Sequence, residues 1–170
     1  TGGLETMTLD LDIPERYGGL GDPGANVAAF ETLGFGDLSL LVKFGVQFGL
    51  WGGAVQQLGT ERHHERYLRD TATLELTGCF AMTEAGHGSN VQELRTTATY
   101  DADTEEFVLE TPDEDARKDY IGNATCHGRM AVVFAQLIVG SEAHGVHALL
   151  VPLRDTHGEV CDGVRIEDCG

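Results

Sequence analysis

The chain has 170 residues, of which 41% are apolar, so it can form a packed core and is not expected to be disordered. Its formal net charge of −17 argues against nucleic-acid binding, because a polyanion would be repelled over most of the surface. We expect this acidity to belong to a solvated surface.

Residues 1–25 contain Pro14, Pro23 and several glycines, and they predict a loop or frayed beginning. They show no basic stretch followed by an apolar stretch, so we expect no signal peptide. From Asp37 the pattern becomes helical, with apolar residues at steps of three and four as far as Leu58. Asp37 is the predicted N-cap, and Gly59 the predicted end.

Three glycines, Gly45, Gly49 and Gly53, form a stripe along this helix. The stripe predicts either the close approach of another backbone or a weak helix that depends on burial. The helix also carries Lys43, three glutamines and four glycines, which argue against a membrane span.

A second helix is predicted over Glu61 to Asp70, capped by Thr60. Its mixed charges indicate a solvated face, and the adjacent His63 and His64 point to different sides, so they do not form a metal pair. The four cysteines include no CxxC pair and are expected to be reduced thiols. Cys126-His127 lacks a second ligand pair, so no metal site is predicted.

After Gly78 the pattern changes to strands, with a hairpin turn at Asp101–Thr104. No helical crossover pattern separates the strands, which favours an antiparallel barrel or sandwich and an α+β fold. The acidic run 101–119 holds this turn and a following loop, and is expected to be solvated. The remaining predicted strands are Leu94–Tyr100, Glu106–Thr111, Ala131–Val139, Val146–Leu153 and Val164–Ile166.

The segment Gly78–Tyr100 is the most informative for function. A short strand ends at Thr83-Glu84 and runs into the turn Gly86-His87-Gly88-Ser89. Backbone N–H groups and hydroxyls at such a place could stabilise the negative charge of a reduced flavin and hold a pyrophosphate. A turn of this kind is also common as an ordinary structural loop.

Four segments in order resemble the acyl-CoA dehydrogenase and acyl-CoA oxidase family, over about residues 30 to 170. The turn Gly86-His87-Gly88 and the long insert before Tyr120 are closer to the oxidase branch. The resemblance implies the end of an N-terminal helical domain in residues 1–75 and an incomplete middle β-domain in residues 76–170. The four segments are Leu38–His63, Gly78–Tyr100, Tyr120–Asn123 and Ala131–Arg154.

By position, the resemblance implies an FAD site in which the Met82 backbone and Thr83 meet the flavin pyrimidine ring. Gly88 and Ser89 would face the pyrophosphate and the acyl-CoA entrance. The other implied contacts are Tyr120 against the isoalloxazine, the Ile121–Gly122 backbone near N5 and O4, and Phe80 near the acyl thioester. Phe80 and Met82 could instead be core residues, and Tyr120 an ordinary strand aromatic.

The chain departs from the family pattern at three positions. Ala85 stands where dehydrogenases have proline, Asn90 where aspartate is usual, and Gly122 where dehydrogenases have threonine. Glu84 and His87 are candidates for an acid or a base, but they are expected to serve the loop instead. The family's catalytic glutamate lies in a C-terminal helical domain, so no catalytic residue is predicted within the chain, which alone is expected to be inactive.

The implied parent reaction is α,β-desaturation of a fatty acyl-CoA to the trans-2-enoyl-CoA, with oxygen or an electron-transfer flavoprotein reoxidising the flavin. A homo-oligomeric full-length protein is expected, in the cytoplasm of a bacterium or in peroxisomes if the source is eukaryotic. Two alternatives stay open: one subunit of a split flavoenzyme, or a non-catalytic binding or scaffold module. Acyl chain length and electron acceptor are not predicted.

Overall fold

The computed structural model describes residues 12–168, in which three α-helices precede five strands. This order confirms the α+β class. Residues 1–11 of the predicted opening loop, and Cys169, lie outside the described part. The helices are α1 (Pro23–Gly34), α2 (Leu38–Leu58) and α3 (Glu61–Ala72), and the strands are β1 (Gly78–Ala81), β2 (Thr97–Asp101), β3 (Glu106–Glu110), β4 (Met130–Val139) and β5 (Glu142–Pro152).

Helices α2 and α3 begin as predicted. Asp37 Oδ1 accepts hydrogen bonds from the N–H groups of Ser39 (2.8 Å) and Leu40 (3.1 Å), which satisfies donors that the first helical turn leaves free. The middle of α2, Gly45–Gly52, is π-helical, between α-helical stretches on either side. In front of α3, the Thr60 N–H donates to His63 Nδ1 at 3.0 Å.

Helix α1 was not predicted, and it begins inside the stretch expected to be a loop. Asp22 Oδ1 accepts from the Ala25 N–H at 3.0 Å, and Pro23 occupies the first turn, which is a favourable helix start. The apolar spacing did not reveal α1 because none of its residues is fully buried.

The glycine stripe of α2 accommodates an aromatic ring from α1. A Cβ built on Gly45 would lie 3.4 Å from the Phe30 ring, and one on Gly49 would lie 3.9 Å from it. Among the described residues, an aromatic side chain and not a second backbone approaches Gly45 and Gly49. The absent side chains leave room for a ring.

The sheet is mixed, which corrects the expectation of a wholly antiparallel barrel or sandwich. Strand β4 pairs in parallel with β1 through its first half and with β2 through its second half, and antiparallel with β5. Strands β2 and β3 form the predicted antiparallel hairpin. Between β1 and β4 the chain passes through two irregular loops, each with a 3₁₀ turn, and through the β2–β3 hairpin. The sequence therefore lacks the helical crossover usual between parallel strands. The predicted strand Val164–Ile166 is not formed.

The helices dock on the sheet where α2 meets β1. Trp51 is fully buried, and a Cβ on Gly78 would lie 2.0 Å from its ring, so only glycine fits there. Gln47 Oε1 accepts from the Gly78 N–H at 2.9 Å, while Gln47 Nε2 donates to the Leu76 carbonyl at 2.9 Å. One apolar core therefore includes Trp51 together with Val132 and Phe134 of β4.

Helix α2 also presents an apolar face to the outside. By length and composition alone it could cross a membrane, and 28% of an apolar 18-residue stretch within it is buried. Core helices of globular proteins meet the same criteria, and buried Gln47 makes polar contacts that suit a protein interior. The exposed large apolar residues of α2 are Leu38, Leu40, Val42, Leu50 and Leu58.

Replacing Gln47 by leucine will destabilise the fold by roughly 2–4 kcal/mol, because the Gly78 N–H and the Leu76 carbonyl lose their partner inside the core. Urea unfolding measures the change. Gln57→Leu, at an exposed position of the same helix, is the matched control and will change stability by less than about 0.5 kcal/mol. Equal effects of the two substitutions would contradict the docking role of Gln47.

Candidate functional site

Two segments that are distant in sequence lie side by side. The first is Phe80–Ser89, at the end of β1, and the second is Arg117–Asn123. The Ala85 N–H donates to the Arg117 carbonyl at 2.9 Å, and the Asp119 N–H donates to the Thr83 carbonyl at 3.1 Å. These bonds place Thr83 of the first segment beside Asp119 of the second segment.

The carboxylate of Glu84 is the centre of this arrangement. It is buried, and its Oε1 accepts from Thr96 Oγ1 (2.6 Å) and from the Thr96 N–H (2.9 Å). Its Oε2 accepts from the Arg95 N–H at 2.8 Å, and Lys118 Nζ lies 3.0 Å from Oε1. Glu84 therefore joins the first segment to the strand entry at Thr96 and to the second segment.

Burial alone would raise the pKa of Glu84, but the hydrogen bonds from Thr96, the Arg95 N–H and Lys118 outweigh it and hold the pKa below its ordinary value. A carboxylate with a lowered pKa and occupied lone pairs is a poor general base. The geometry agrees with Glu84 serving the loop.

Lys118 sits between the two segments. Its Nζ donates to three oxygens: the Met82 carbonyl (3.0 Å), the Phe134 carbonyl (2.8 Å) and Glu84 Oε1 (3.0 Å). Burial lowers the pKa of Lys118, and the Glu84 carboxylate partly offsets this. Sequence analysis missed this lysine. A signal was present, since Lys118 is one of two cations in an acidic run and stands two residues before Tyr120.

The two glycines of the predicted turn have different surroundings. A Cβ on Gly86 would lie 3.0 Å from the Asp115 Cβ, and the Gly86 N–H donates to the Asp115 carbonyl at 2.8 Å, so packing accounts for Gly86. A Cβ on Gly88 would meet no atom within 4 Å among the described residues, and its φ is outside the left-handed region. The fold of this chain therefore does not explain a glycine at position 88. Ser89 is exposed next to it.

Tyr120 is an aromatic residue held at the surface in an unfavourable backbone conformation. Its φ is +57°, and 84% of the residue is exposed. The Tyr120 N–H donates to Asp119 Oδ1 at 2.9 Å, which helps to hold this conformation. Left-handed backbone at a bulky residue costs free energy, and such residues concentrate at functional sites.

Ile121 and Gly122 fix the second segment in two directions. Ile121 packs against the apolar cluster that contains Ala81 and Val133. A Cβ on Gly122 would lie 2.7 Å from Val46 Cγ2 of α2, so glycine is required where the helix approaches.

Phe80 and Met82 both have packing partners within the chain. The Phe80 ring lies against the Phe134 ring, with centroids 4.9 Å apart. Phe80 and Met82 both pack against the apolar core that contains Trp51 and Phe134. The alternative that these are core residues thus has direct support for their side chains, while the Met82 carbonyl faces Lys118.

In the described part of the chain, the cysteines and histidines contribute no further site. Burial raises the pKa of Cys79 to about 11, which leaves little thiolate at neutral pH. Cys79, Cys126 and Cys161 are free thiols. Over residues 12–168, no group of histidine, cysteine or acidic residues is arranged to hold a metal ion.

Comparison with known families decides the classification. The model of the acyl-CoA dehydrogenase middle domain matches residues 79–169, and that of the acyl-CoA dehydrogenase N-terminal domain matches residues 5–75. The chain belongs to the acyl-CoA dehydrogenase family. The resemblance of the four sequence segments is thereby confirmed.

Relatives within the acyl-CoA dehydrogenase family include peroxisomal acyl-coenzyme A oxidase 2 of Arabidopsis thaliana, 50% identical over 99% of this chain and 24% of the relative. The solved acyl-CoA oxidase 1 of Yarrowia lipolytica is 38% identical, with a TM-score of 0.75, over 79% of this chain and 20% of that one. Acyl-CoA oxidase-2 of Caenorhabditis elegans, bound with FAD, ascaroside-CoA and ATP, is 35% identical, with a TM-score of 0.71, over 75% of this chain and 20% of that one. The chain therefore spans about a quarter or less of the length of these relatives.

Gly122→Ala will destabilise the protein by about 1–3 kcal/mol, because the new methyl group overlaps Val46 Cγ2. In a Val46→Ala background the same substitution will cost about 1 kcal/mol less. A double-mutant cycle by urea unfolding measures this coupling. Additive effects would contradict the contact between α2 and the second segment.

Glu84→Gln will flatten the loss of stability in acid. The pKa of Glu84 is lower in the folded state than in the unfolded chain, so its contribution is complete above about pH 4.3 and is lost as the pH falls through the folded value. Urea unfolding between about pH 3 and pH 7 measures the free energy of unfolding of the variant and of the wild type. The exposed Glu75→Gln is the control, and parallel curves for wild type and Glu84→Gln would contradict the assignment.

Proposed function

We propose that the chain is part of a longer FAD-dependent acyl-CoA oxidase that converts a fatty acyl-CoA to the trans-2-enoyl-CoA. Membership of the acyl-CoA dehydrogenase family and the oxidases among its relatives support this proposal. The observation that carries it is the pairing of the first segment with the second at Thr83 and Asp119. Two segments for which the family resemblance implies flavin contacts are neighbours in the structure.

The described residues fit an FAD molecule in three respects. Gly88 has open space beside it, as the close approach of a pyrophosphate to the backbone requires. Tyr120 exposes an aromatic ring that could lie along an isoalloxazine. Thr83 stands where β1 has ended, so its N–H and hydroxyl are near the edge of the sheet. The FAD contacts proposed are Met82, Thr83, Gly88, Ser89, Tyr120, Ile121 and Gly122.

When bound, FAD supplies the acceptor for the hydride that leaves the β-carbon of the substrate. The residues of this chain would orient it: the Met82–Thr83 backbone and the Ile121–Gly122 backbone offer donors to the ring that gains negative charge. Phe80 and Ser89 are proposed to lie at the acyl-CoA side. We assign the base that removes the α-proton to another part of the longer protein, as the family resemblance implies.

The domain division at residues 75 and 76 is part of the same proposal. All three α-helices precede Gly78 and all five strands follow from it within residues 12–168, which supports the division. We also propose a homo-oligomeric longer protein, with oxygen as the electron acceptor.

We propose a peroxisomal location, on the basis of the Arabidopsis thaliana relative. The expectation of a cytoplasmic bacterial protein finds no support in the relatives from Arabidopsis thaliana, Homo sapiens and Candida glabrata, which are eukaryotes. A fluorescent fusion of the longer protein would distinguish the two compartments.

The decisive experiment is the visible spectrum of the longer protein under anaerobic conditions, before and after addition of a long-chain acyl-CoA. We expect a bound flavin that bleaches with acyl-CoA and not with free coenzyme A, and that recovers in air with formation of hydrogen peroxide. A colourless protein would favour the scaffold alternative. Bleaching by acyl-CoA followed by recovery with electron-transfer flavoprotein alone would indicate a dehydrogenase.

Gly88→Ala will leave the free energy of unfolding within about 0.5 kcal/mol of wild type, because its Cβ meets open space, yet it will weaken FAD binding. Gly86→Ala is the matched control in the same turn. It will destabilise the fold by roughly 1–3 kcal/mol, because its Cβ meets Asp115. Flavin titration of the apoprotein and urea unfolding measure the two effects, and unchanged FAD affinity in Gly88→Ala would contradict the pyrophosphate assignment.

A further inference from the structure

The Lys118 ammonium lies where three parts of the fold converge. It has three N–H donors, and it lies within hydrogen-bond distance of three oxygens, those of Met82, Phe134 and Glu84. The side chain of Lys118 is 13% exposed, and that of Glu84 is fully buried. A lysine with all donors occupied in such a place is held in one orientation.

The bond to the Met82 carbonyl has a consequence for the next residue. A trans peptide is planar, and its C=O and N–H point in opposite directions. No cis peptide occurs in the described chain. Because the Met82 carbonyl faces Lys118, the Thr83 N–H is directed to the opposite side of the segment.

Glu84 in turn holds Lys118. Three donors besides the lysine fix the Glu84 carboxylate, namely the Arg95 N–H and both the N–H and the hydroxyl of Thr96. The carboxylate is therefore anchored without the lysine. It provides a fixed negative charge that keeps the Lys118 ammonium under the Met82 peptide.

We propose that Lys118, held by Glu84, is a positioning residue that sets the orientation of the Met82–Thr83 peptide toward the flavin. This inference rests on the proposed function, since it assigns the Thr83 N–H to the pyrimidine side of FAD. Lys118 does not touch the flavin. It acts through the peptide that does.

The surface ion pairs nearby do not have this property. Arg117, next to Lys118, pairs with Glu114 (3.1 Å) and Asp119 (3.3 Å), and its side chain is 53% exposed. It donates to no backbone oxygen of the first segment in the described structure. Arg117→Met therefore removes a cation from the same segment without touching the peptide, and is the matched control.

The test uses the longer holoenzyme carrying Lys118→Met, Glu84→Gln or Arg117→Met. When Lys118 no longer fixes the peptide, the Thr83 N–H is no longer a fixed donor to the flavin. This loss will favour the oxidised flavin over the reduced flavin, which carries more negative charge on its pyrimidine side. We expect Lys118→Met to lower the flavin reduction potential and to weaken FAD binding by roughly tenfold or more. Glu84→Gln will shift both quantities in the same direction by less, since the amide keeps one oxygen acceptor.

Three readouts separate positioning from a purely structural role: the reduction potential, the FAD dissociation constant, and the urea midpoint of the apoprotein. The inference is supported if the flavin reduction potential shifts in Lys118→Met and in Glu84→Gln but does not shift in Arg117→Met. Lower stability with an unchanged potential overturns the inference. Where Lys118→Met does not fold, Glu84→Gln decides by the same criterion. A wild-type protein without flavin would refute the proposed function instead, which keeps the two failures distinguishable.

Discussion

The buried carboxylate of Glu84 is the constraint on which the site depends. It lies beyond the end of β1, where the backbone on either side of it pairs with the second segment. Its hydrogen bonds with Thr96 join it to the chain that enters β2, and Lys118 joins it to the segment before β4. Buried ionic groups need such complete pairing, because a single uncompensated charge in the interior would be strongly destabilising.

A second constraint sets the helices against this site. Gln47 and Trp51 fix α2 on β1 at Gly78, and Val46, the residue before Gln47, meets Gly122. The helical layer thus contacts both β1, whose last two residues begin the first segment, and the second segment itself. The apolar face of α2 that remains exposed is consistent with a chain that spans about a quarter of a relative's length.

The sequence was sufficient for much of the fold, because local signals decide it. Asp37 caps α2, Thr60 precedes α3, and the hairpin turn after β2 lies where turn residues stand. The parallel pairing of β4 was not predictable from crossover patterns, since irregular loops and other strands, and no α-helix, lie between the paired strands. The pairing of Lys118 with Glu84 was hidden for a related reason, because it joins residues far apart in sequence and no periodicity records such contacts. Gly122 stands where dehydrogenases have threonine, and only the packing of Val46 shows why this residue must be small.

The central claim is that the first and second segments together hold one flavin, and a crystal structure of the longer protein with FAD tests it most directly. The account predicts the Thr83 N–H within hydrogen-bond distance of the flavin pyrimidine ring, the Tyr120 ring against the isoalloxazine, and the pyrophosphate beside Gly88. A flavin bound elsewhere, or one that contacts only one of the two segments, would contradict it.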